Sequence, residues 1–539
     1  MLDTIPARRH SRRARPFALA LVALIGLSPA LAPRAQAAEA TLVIARDMDI
    51  TSLDPARAFC DTCQIVLSAT YERLVDLGPD NRTIVPLLAE SWEVNADQTV
   101  FTFKLDERAR FADGGQVTSA DVAWSLERLK HLKGNPSFLM DGVAAVETPD
   151  ARTVVIRTTA PNSELLGILA APYAAVVNRA VAEANGAKAG EGADAADQAD
   201  GWFLANSAGS GPFTLAAYAP DDEVRLARNA GYWRDAAPVA QVVIKQVKDS
   251  VTQAQMLQSG AADIAMQIDA DTAAGVTDPN VVIEPTASFN FVYVALGAGA
   301  DGMPISMTRP VREAIGLALD YEGIIDLTVA GKGRRIAAPI PNGFPGTEGL
   351  PLPARDLDRA KALLAEAGIG GRVTLEAVYP SVNIYGVDFD ILMQKVQQDL
   401  GDVGLDLALQ PVTFPVWRER ITATGIPVTA VYYAPDYFGS GQYVQFFGTQ
   451  EGSPWYKRSH VAKAPDAVNP RIPDLLAAAL AAPAEKVDEA FAAIAREMIA
   501  DRIILPVVSP DLTLAYRKGV KGVRYSACCN LPLAEISVE

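Results

Sequence analysis

Residues 86–129 read PLLAESWEVNADQTVFTFKLDERARFADGGQVTSADVAWSLERL and decide how the surrounding chain folds. A turn at residues 95–97 precedes FTFKL, residues 101–105, in which apolar and polar side chains alternate, and this pattern predicts a β-hairpin with one buried face. Thr118, with Asp121 three residues later, has the pattern of a capping box and predicts the start of a helix. The stretch therefore predicts two strands, a turn and a capped helix in that order.

This stretch resembles the family 5 extracellular solute-binding proteins, the peptide and nickel receptors of ATP-driven importers. The residues that match the family's phrases are Pro86, Leu88 to Trp92, Phe103 to Leu105, Phe111, Asp113, Gly114, Thr118, Asp121 and Val122. They look like turn, cap and core positions rather than catalytic ones, so the resemblance implies a scaffold before it implies a ligand.

Further phrases match the family, in the family's order, along nearly the whole chain. They are Leu53-Asp54-Pro55, Tyr71-Glu72 with Leu74, Gly211-Pro212-Phe213, Asn229 with Tyr232 and Trp233, Leu257 with Gly260 and Asp263, and the helix from Pro310 to Asp320. The resemblance implies an α/β fold: a two-lobed periplasmic-binding-protein clamp with an extra small domain inserted in the first lobe.

The resemblance also implies domain limits, which agree with a length of 539 residues, too great for one ordinary core. The limits are 1–37 for a signal peptide, 38–80 plus 201–287 plus 505–539 for lobe I, 81–200 for the inserted small domain II, and 288–504 for lobe III. Hinges are expected where the chain crosses between lobes, near residues 284–290 and 504–508. The Ala/Gly/Asp-rich segment 183–200 is predicted to be a loop.

The N-terminus has the pattern of a cleaved secretory signal. Arginines cluster between residues 8 and 15, the apolar run Phe17 to Leu27 follows, and Ala35-Gln36-Ala37 is a small-x-small cleavage site. The run is about half the ~20 residues that a membrane-spanning helix needs. We expect export by the general secretory route rather than the twin-arginine route, and, because no cysteine precedes Cys60, a free periplasmic protein rather than a lipid-anchored one.

The charge of the mature chain limits its partners. Removal of residues 1–37 takes away six arginines and one aspartate and changes the formal net charge from −16 to −21. Nucleic acid and anionic membrane surfaces are poor partners for such a chain. The expected partners are a small-molecule or short-peptide ligand and, from the resemblance, an inner-membrane ABC permease; a monomer is expected.

The four cysteines form two pairs in sequence, Cys60 with Cys63 and Cys528 with Cys529, in a chain directed to an oxidising compartment. Zinc binding and redox chemistry are alternatives for Cys-x-x-Cys, but structural disulfides are favoured because no histidine and no thioredoxin-like context lies nearby. The pairing stays open. A bridge from the first pair to the second would tie the two chain ends together.

Motifs for catalysis or cofactors are absent from the sequence. There is no His-Glu-x-x-His, Gly-x-Ser-x-Gly or P-loop pattern, so no enzyme activity and no cofactor are expected. His131 and His460 are the only mature histidines and belong to no metal-spaced cluster, which argues against nickel.

The candidate ligand site comes from the resemblance. The family's phrase Asp-Tyr, whose aspartate pairs with the ligand's amino group in peptide receptors, matches Asp436-Tyr437. A carboxylate in a closing cleft can anchor a cation if it is also hydrogen-bonded, and nearby tyrosines can stack on a ligand. The predicted ligand-binding residues are Asp436, Tyr437, Tyr433, Tyr432, Asp61, Thr62 and Tyr385.

This region also departs from the family pattern. Pro435 looks inserted, Phe438-Gly439-Ser440 replaces Pro-Asp-Pro, and no arginine stands shortly before Asp436, where some oligopeptide receptors use one for the peptide carboxylate. The expected function is therefore capture of a peptide or other amine-bearing solute for an ABC importer. A receptor for a sugar or an opine is the alternative; a periplasmic chaperone or sensor and a secreted hydrolase are further readings.

Overall fold

The computed structural model describes residues 40–527 and 529–539, so the predicted signal peptide and Cys528 lie outside the described residues. The strands are β1 Thr41–Arg46, β2 Val75–Leu77, β3 Ile84–Pro86, β4 Ala89–Val94, β5 Val100–Leu105, β6 Val143–Asp150, β7 Thr153–Thr158, β8 Phe213–Ala219, β9 Glu223–Arg228, β10 Gln241–Gln246, β11 Ile264–Ala265, β12 Val281–Thr286, β13 Phe291–Leu296, β14 Gly333–Arg334, β15 Val373–Pro380, β16 Asn383–Ile384, β17 Val387–Asp388, β18 Leu405–Val412, β19 Val428–Tyr433, β20 Ile504–Pro510, β21 Leu512–Arg517, β22 Val520–Lys521 and β23 Ser537–Val538.

The α-helices are α1 Asp61–Thr70, α2 Ser119–His131, α3 Leu165–Leu169, α4 Arg179–Ala184, α5 Ala193–Ala196, α6 Asp200–Phe203, α7 Ser250–Ser259, α8 Ala270–Gly275, α9 Arg309–Ala318, α10 Tyr321–Val329, α11 Leu357–Glu366, α12 Phe389–Gly401, α13 Phe414–Ala423, α14 Gly441–Phe447, α15 Pro454–Arg458, α16 Ile472–Leu480 and α17 Val487–Asp501. Short 3₁₀ helices are formed by Asn135–Met140, Pro172–Ala174, Val461–Lys463, Pro465–Ala467, Ala484–Lys486 and Leu533–Glu535. Within the described ranges, none of these helices is both long and apolar enough to cross a bilayer.

The opening stretch folds as its pattern predicts. Strands β4 and β5 pair antiparallel with Trp92 opposite Phe103, and Phe103 is fully buried. Helix α2 begins directly after Thr118, whose backbone N–H donates to the Asp121 carboxylate at 3.0 Å. The predicted hairpin and capped helix are confirmed. They belong to a four-stranded sheet in the order β4-β5-β7-β6.

Two larger sheets form the main body. A seven-stranded sheet has the order β12-β21-β11-β1-β10-β9-β8, and a six-stranded sheet has the order β14-β20-β13-β19-β15-β18. The central strand β13 is buried along its whole length, as its apolar run requires. Helices pack on both sheets, and the predicted α/β clamp with two lobes is confirmed as a fold class. The exact limits of the inserted domain stay a prediction.

The chain passes between the two large sheets twice, and one passage corrects a predicted boundary. The first passage is residues 287–290, between β12 and β13, inside the predicted hinge. The second is Asp511, between β20 and β21. Because β20 pairs with β13, it belongs with the six-stranded sheet, and the predicted change of lobe at residue 505 comes six residues too early. The apolar sequence ILPVV gave no sign of which sheet it joins.

The two passages are hydrogen-bonded to each other through buried serines. The Ser288 hydroxyl donates to the Pro510 carbonyl at 3.0 Å, and the Ser509 hydroxyl donates to the Asn290 carbonyl at 3.0 Å. On either side the strands continue as antiparallel pairs, β12 with β21 and β13 with β20. The predicted hinge is therefore a pair of hydrogen-bonded strands rather than two free linkers.

The segment 183–200 is not simply a loop. It contains α5, and Asp197 buries its carboxylate beside Arg128 of α2, whose Nε donates to it at 3.0 Å. The same guanidinium donates to Asp54 Oδ1 at 2.6 Å, and the side chains of Arg128 and Asp54 are 1% and 0% exposed. This buried Asp-Arg-Asp cluster holds the Leu53-Asp54-Pro55 turn, the capped helix and the Ala/Gly/Asp-rich segment together.

Arg128→Met should destabilise the fold by ~3–5 kcal/mol, because the buried carboxylates of Asp54 and Asp197 then rely on longer contacts to the partly exposed Arg57, at 3.6 and 3.2 Å. The control is Arg157→Met, which removes a pair with Glu147 in which both side chains are 47% exposed and which should cost less than ~1 kcal/mol. Urea unfolding followed by circular dichroism measures both. Equal losses in the two variants would contradict the importance of the buried cluster.

Candidate functional site

A cavity of about 1170 Å³ lies between the two large sheets. Its lining comes from the chain after β1, the start of α1, the end of β19 with the loop to residue 436, the β16–β17 hairpin, and the second passage at 511–513. The volume slightly exceeds the ~300–1,000 Å³ usual for small-ligand sites. The cavity therefore has room for a solute of dipeptide size or larger.

Five of the seven predicted ligand residues line this cavity: Asp436, Tyr433, Tyr432, Asp61 and Tyr385. Thr62 and Tyr437 lie outside the lining. Thr62 is fully buried, and its backbone N–H donates to Asp49 at 2.9 Å. Tyr437 is also buried, and its hydroxyl donates to Glu164 at 3.3 Å. Each follows a lining residue in sequence but points into the protein, so its expected ligand contact is corrected to a supporting position.

Asp436 is held by its own loop. Its backbone N–H donates to Gln442 Oε1 at 2.8 Å, and Gln442 Nε2 donates to the Gly439 carbonyl at 2.9 Å. The Tyr433 hydroxyl donates to Asp436 Oδ2 at 3.0 Å. Among the described residues, no lysine, arginine or histidine nitrogen lies within 4.0 Å of this carboxylate. The loop thus presents an oriented carboxylate that lacks a cation.

A second carboxylate faces the same cavity from the other lobe. Burial raises the pKa of Asp436 to about 7, and the charge of Asp61 adds to this effect while the Tyr433 hydrogen bond opposes it. Burial, with repulsion from Asp49, raises the pKa of Asp61 to about 6, although Arg46 acts in the opposite direction. Two carboxyl groups thus face the same part of the cavity, and in their ionised forms both attract a cation.

Aromatic rings form much of the remaining wall. Tyr385 and Tyr432 meet edge to face with ring centroids 5.7 Å apart, and Tyr433 lies 4.6 Å from Phe446. Tyr385 reaches the cavity because β16 and β17 form a hairpin with the two-residue turn Tyr385-Gly386, at φ of 56° and 82°. Positive φ at both central residues is typical of a type I′ turn. These rings can stack on a flat or apolar part of a solute.

Some lining residues were missed by sequence reasoning. Asp49 follows β1 closely, and a polar residue after a strand of an α/β sheet is a signal that could have found it. It also organises α1, because it accepts the backbone N–H of Asp61 at 2.9 Å. Tyr173, whose hydroxyl accepts from Gln64 at 3.1 Å, and Arg458 carry no such signal. Only the fold brings them to the cavity.

The first cysteine pair forms a disulfide at the edge of the cavity. Cys60 and Cys63 are bonded to each other, so these two residues do not bridge to the second pair near the C-terminus. Cys60 is the N-cap of α1 and lines the cavity, whereas Cys63 is fully buried; Cys529 is also buried. Within residues 40–527 and 529–539, no group of three or more His, Cys, Asp or Glu side chains is placed to hold a metal ion.

Residues 83–455 match the family model of the bacterial extracellular solute-binding proteins, family 5. The chain belongs to this family. Relatives of this solute-binding protein include a probable D,D-dipeptide-binding periplasmic protein of Escherichia coli K12, 26% identical over 460 residues, which are 83% of this chain and 86% of the relative. A glutathione-binding protein of E. coli O157:H7 is 29% identical over 392 residues, 71% of this chain and 72% of the relative.

Solved structures share the fold of this solute-binding protein. A dipeptide-binding protein of Pseudoalteromonas sp. SM9913 in complex with Met-Leu superposes with a TM-score of 0.78 at 18% identity, over 93% of this chain and 100% of that one. A PBP of A. tumefaciens R10 in complex with agropinic acid has a TM-score of 0.74 at 24% identity, over 93% and 99%. At these identities the structures support the two-lobed fold alone.

The Asp436 loop of the solute-binding protein is also anchored from outside the cavity. Glu164, between β7 and α3, is 7% exposed and accepts the Gly441 backbone N–H at 2.8 Å as well as the Tyr437 hydroxyl. A Cβ at Gly441 would overlap the Glu164 carboxylate, so only glycine permits this approach. Burial raises the pKa of Glu164 to about 7, against the effect of these hydrogen bonds. A titrating carboxyl thus joins the domain of the four-stranded sheet to the Asp436 loop.

Glu164→Gln should change how stability depends on pH. The raised pKa means that the folded state binds this proton more tightly than the unfolded chain, so Glu164 lowers stability progressively as pH rises from about 4.5 through 7. Glutamine removes this loss, and the variant should gain stability relative to wild type between pH 5 and 8, on the order of a few kcal/mol. Melting temperatures across this range measure it. The exposed Glu485→Gln is the control; parallel curves for all three proteins would refute the assignment.

Proposed function

We propose that this solute-binding protein works in the periplasm, captures a short peptide or another amine-bearing solute between its two lobes, and delivers it to the inner-membrane permease of an ABC importer. The functions of the relatives, D,D-dipeptide and glutathione binding, support a peptide-like solute. The signal pattern of residues 1–37 supports export by the general secretory route. The protein acts as a monomer that closes on its ligand.

The observation that carries the proposal is the Asp436 carboxylate. It lies in the cavity, accepts a hydrogen bond from Tyr433 and lacks a cation among the described residues. An ammonium group would supply the missing charge and donate to the free carboxylate oxygen, a strong pairing in a cleft with little water. Asp61, facing the same space, adds to the attraction.

An opine or sugar is the second candidate, because tyrosine rings line the cavity and a structural neighbour holds agropinic acid. Mass spectrometry of solutes that co-purify with the mature protein separates these candidates. Calorimetry with L- and D-dipeptides, glutathione and agropinic acid then ranks them. Turnover of any of these compounds would favour a secreted hydrolase instead.

Asp436→Asn should weaken binding of the tightest dipeptide in this panel by several kcal/mol, since removing one partner of a buried charge pair typically costs ~3–5 kcal/mol. Asparagine keeps the size of the side chain and can still accept from Tyr433. Asp474→Asn, at an exposed position of α16, is the matched control and should bind as wild type does. An unchanged dissociation constant in Asp436→Asn would remove this residue from the site.

Binding of the same dipeptide should weaken as pH falls below about 7. The cation binds the ionised form of Asp436, whose pKa in the empty cleft is about 7, so protonation competes with the ligand. Affinity should fall toward tenfold per pH unit on the acid side and also decline above pH ~8, where an α-amino group loses its proton. Calorimetry from pH 5.5 to 9 tests this. In Asp436→Asn the affinity should no longer depend on pH below about 7. If the affinity of the wild type did not change between pH 5.5 and pH 7, the prediction would be contradicted.

A further inference from the structure

Arg458 is a cation of the cavity wall without an acidic partner. It ends α15, is half-buried and lines the cavity. Among the described residues, no carboxylate lies within 4.0 Å of its guanidinium, and this group donates no hydrogen bond. By contrast, the buried Arg128 is paired with two carboxylates. A guanidinium has five N–H donors, and leaving them without partners in a partly desolvated position is costly.

Three aromatic rings hold this guanidinium in place. Its central carbon lies 5.1 Å from the centroid of Phe446, 5.7 Å from Trp455 and 6.0 Å from Trp417. Rings contact the face of a guanidinium and leave its edge, where the N–H groups point, available to a ligand. The arginine is therefore oriented without being neutralised.

The positive and negative parts of the cavity are separate but connected. The Tyr433 hydroxyl bonds Asp436, the Tyr433 ring contacts Phe446, and Phe446 contacts Arg458. The two charges are thus linked through two rings rather than by a direct ion pair. Arg418, which also lines the cavity, adds a second positive charge near Arg458, and together with burial it lowers the pKa of Arg458.

We infer that Arg458 binds a carboxylate or another planar oxyanion of the solute, on the far side of the Tyr433–Phe446 pair from the amine at Asp436. This inference rests on the proposed function and narrows it, because the substrate is then a zwitterion with separated charges. A neutral sugar or a simple diamine cannot form ion pairs with both Asp436 and Arg458. An edge-on guanidinium favours bidentate recognition of a carboxylate.

A cycle of protein and ligand variants tests this contact. The probes are dipeptides of the form Xaa-Leu, their C-terminal carboxamides, and putrescine, screened by thermal shift and measured by calorimetry. In wild type the amide should bind about ten- to a hundredfold more weakly than the free acid, the loss expected for a hydrogen bond to a charged group. Arg458→Gln should lose the same factor for the acid and show little further difference between acid and amide.

Two further variants separate a binding role from a structural one. Arg458→Lys keeps the positive charge but loses the paired N–H donors of the guanidinium. Compared with Arg458→Gln, it should recover part of the preference for the acid. Arg496→Gln, at an exposed position of α17, should behave as wild type. A structural role for Arg458 would instead weaken acid and amide equally and lower the melting temperature without any probe.

The outcomes distinguish this inference from the proposed function. Equal binding of the acid and the amide to wild type would overturn the role of Arg458. If both probes also lost affinity in Asp436→Asn, the proposed amine site at Asp436 would still be supported. If putrescine bound and the dipeptides did not, the inference that the substrate is a zwitterion would also be overturned. Failure of every probe to bind would count against both proposals.

Discussion

The bonded pair of strands between the two large sheets is the constraint on which the rest of the structure depends. Ser288 and Pro510 join the two passages, and antiparallel pairing continues into both sheets. Such a connection lets the lobes rotate about one line while each sheet keeps its register. Asp511 and Leu512 also line the cavity. Because the predicted hinge segment also lines the cavity, a change in the angle between the lobes would directly change the space open to a solute.

Within the described residues, charged side chains of the buried Arg128 cluster have partners of opposite charge, whereas several charged side chains in the cavity do not. Arg128 is neutralised by two buried carboxylates, whereas Asp436, Asp61 and Arg458 face the cavity without partners of opposite charge within 4 Å among the described residues. Unpaired charges in a partly desolvated space are energetically unfavourable in the empty protein. A zwitterionic solute removes both penalties at once. The free energy of binding therefore includes relief of an unfavourable state that the empty protein carries, and stability is given up at the positions where recognition requires it.

Local patterns were sufficient where short-range chemistry decides the structure. The hairpin, the capping box at Thr118 and the Asp436 loop could be predicted, the last through resemblance rather than from residue properties. Thr62 and Tyr437 were misplaced because adjacent residues project in different directions, which a matched phrase does not reveal. Arg458 and Glu164 could not have been assigned, since their roles arise from tertiary contacts between distant segments. The lobe of strand β20 was predicted wrongly for the same reason, because the sequence of a buried apolar strand does not indicate which sheet it joins.

The stretch that fixes the fold also influences the ligand site, although it lines none of it. Its strands β4 and β5 form half of the four-stranded sheet, and the chain leaving β7 of that sheet reaches Glu164, which accepts the first N–H of α14 at Gly441. That helix follows the Asp436 loop directly. The loop is thus held on the cavity side by Gln442 and on the outer side by Glu164. Because burial raises the pKa of Glu164 to about 7, the charge on this outer contact depends on pH near neutrality, and the chain that leaves the four-stranded sheet supports the Asp436 loop from outside the cleft.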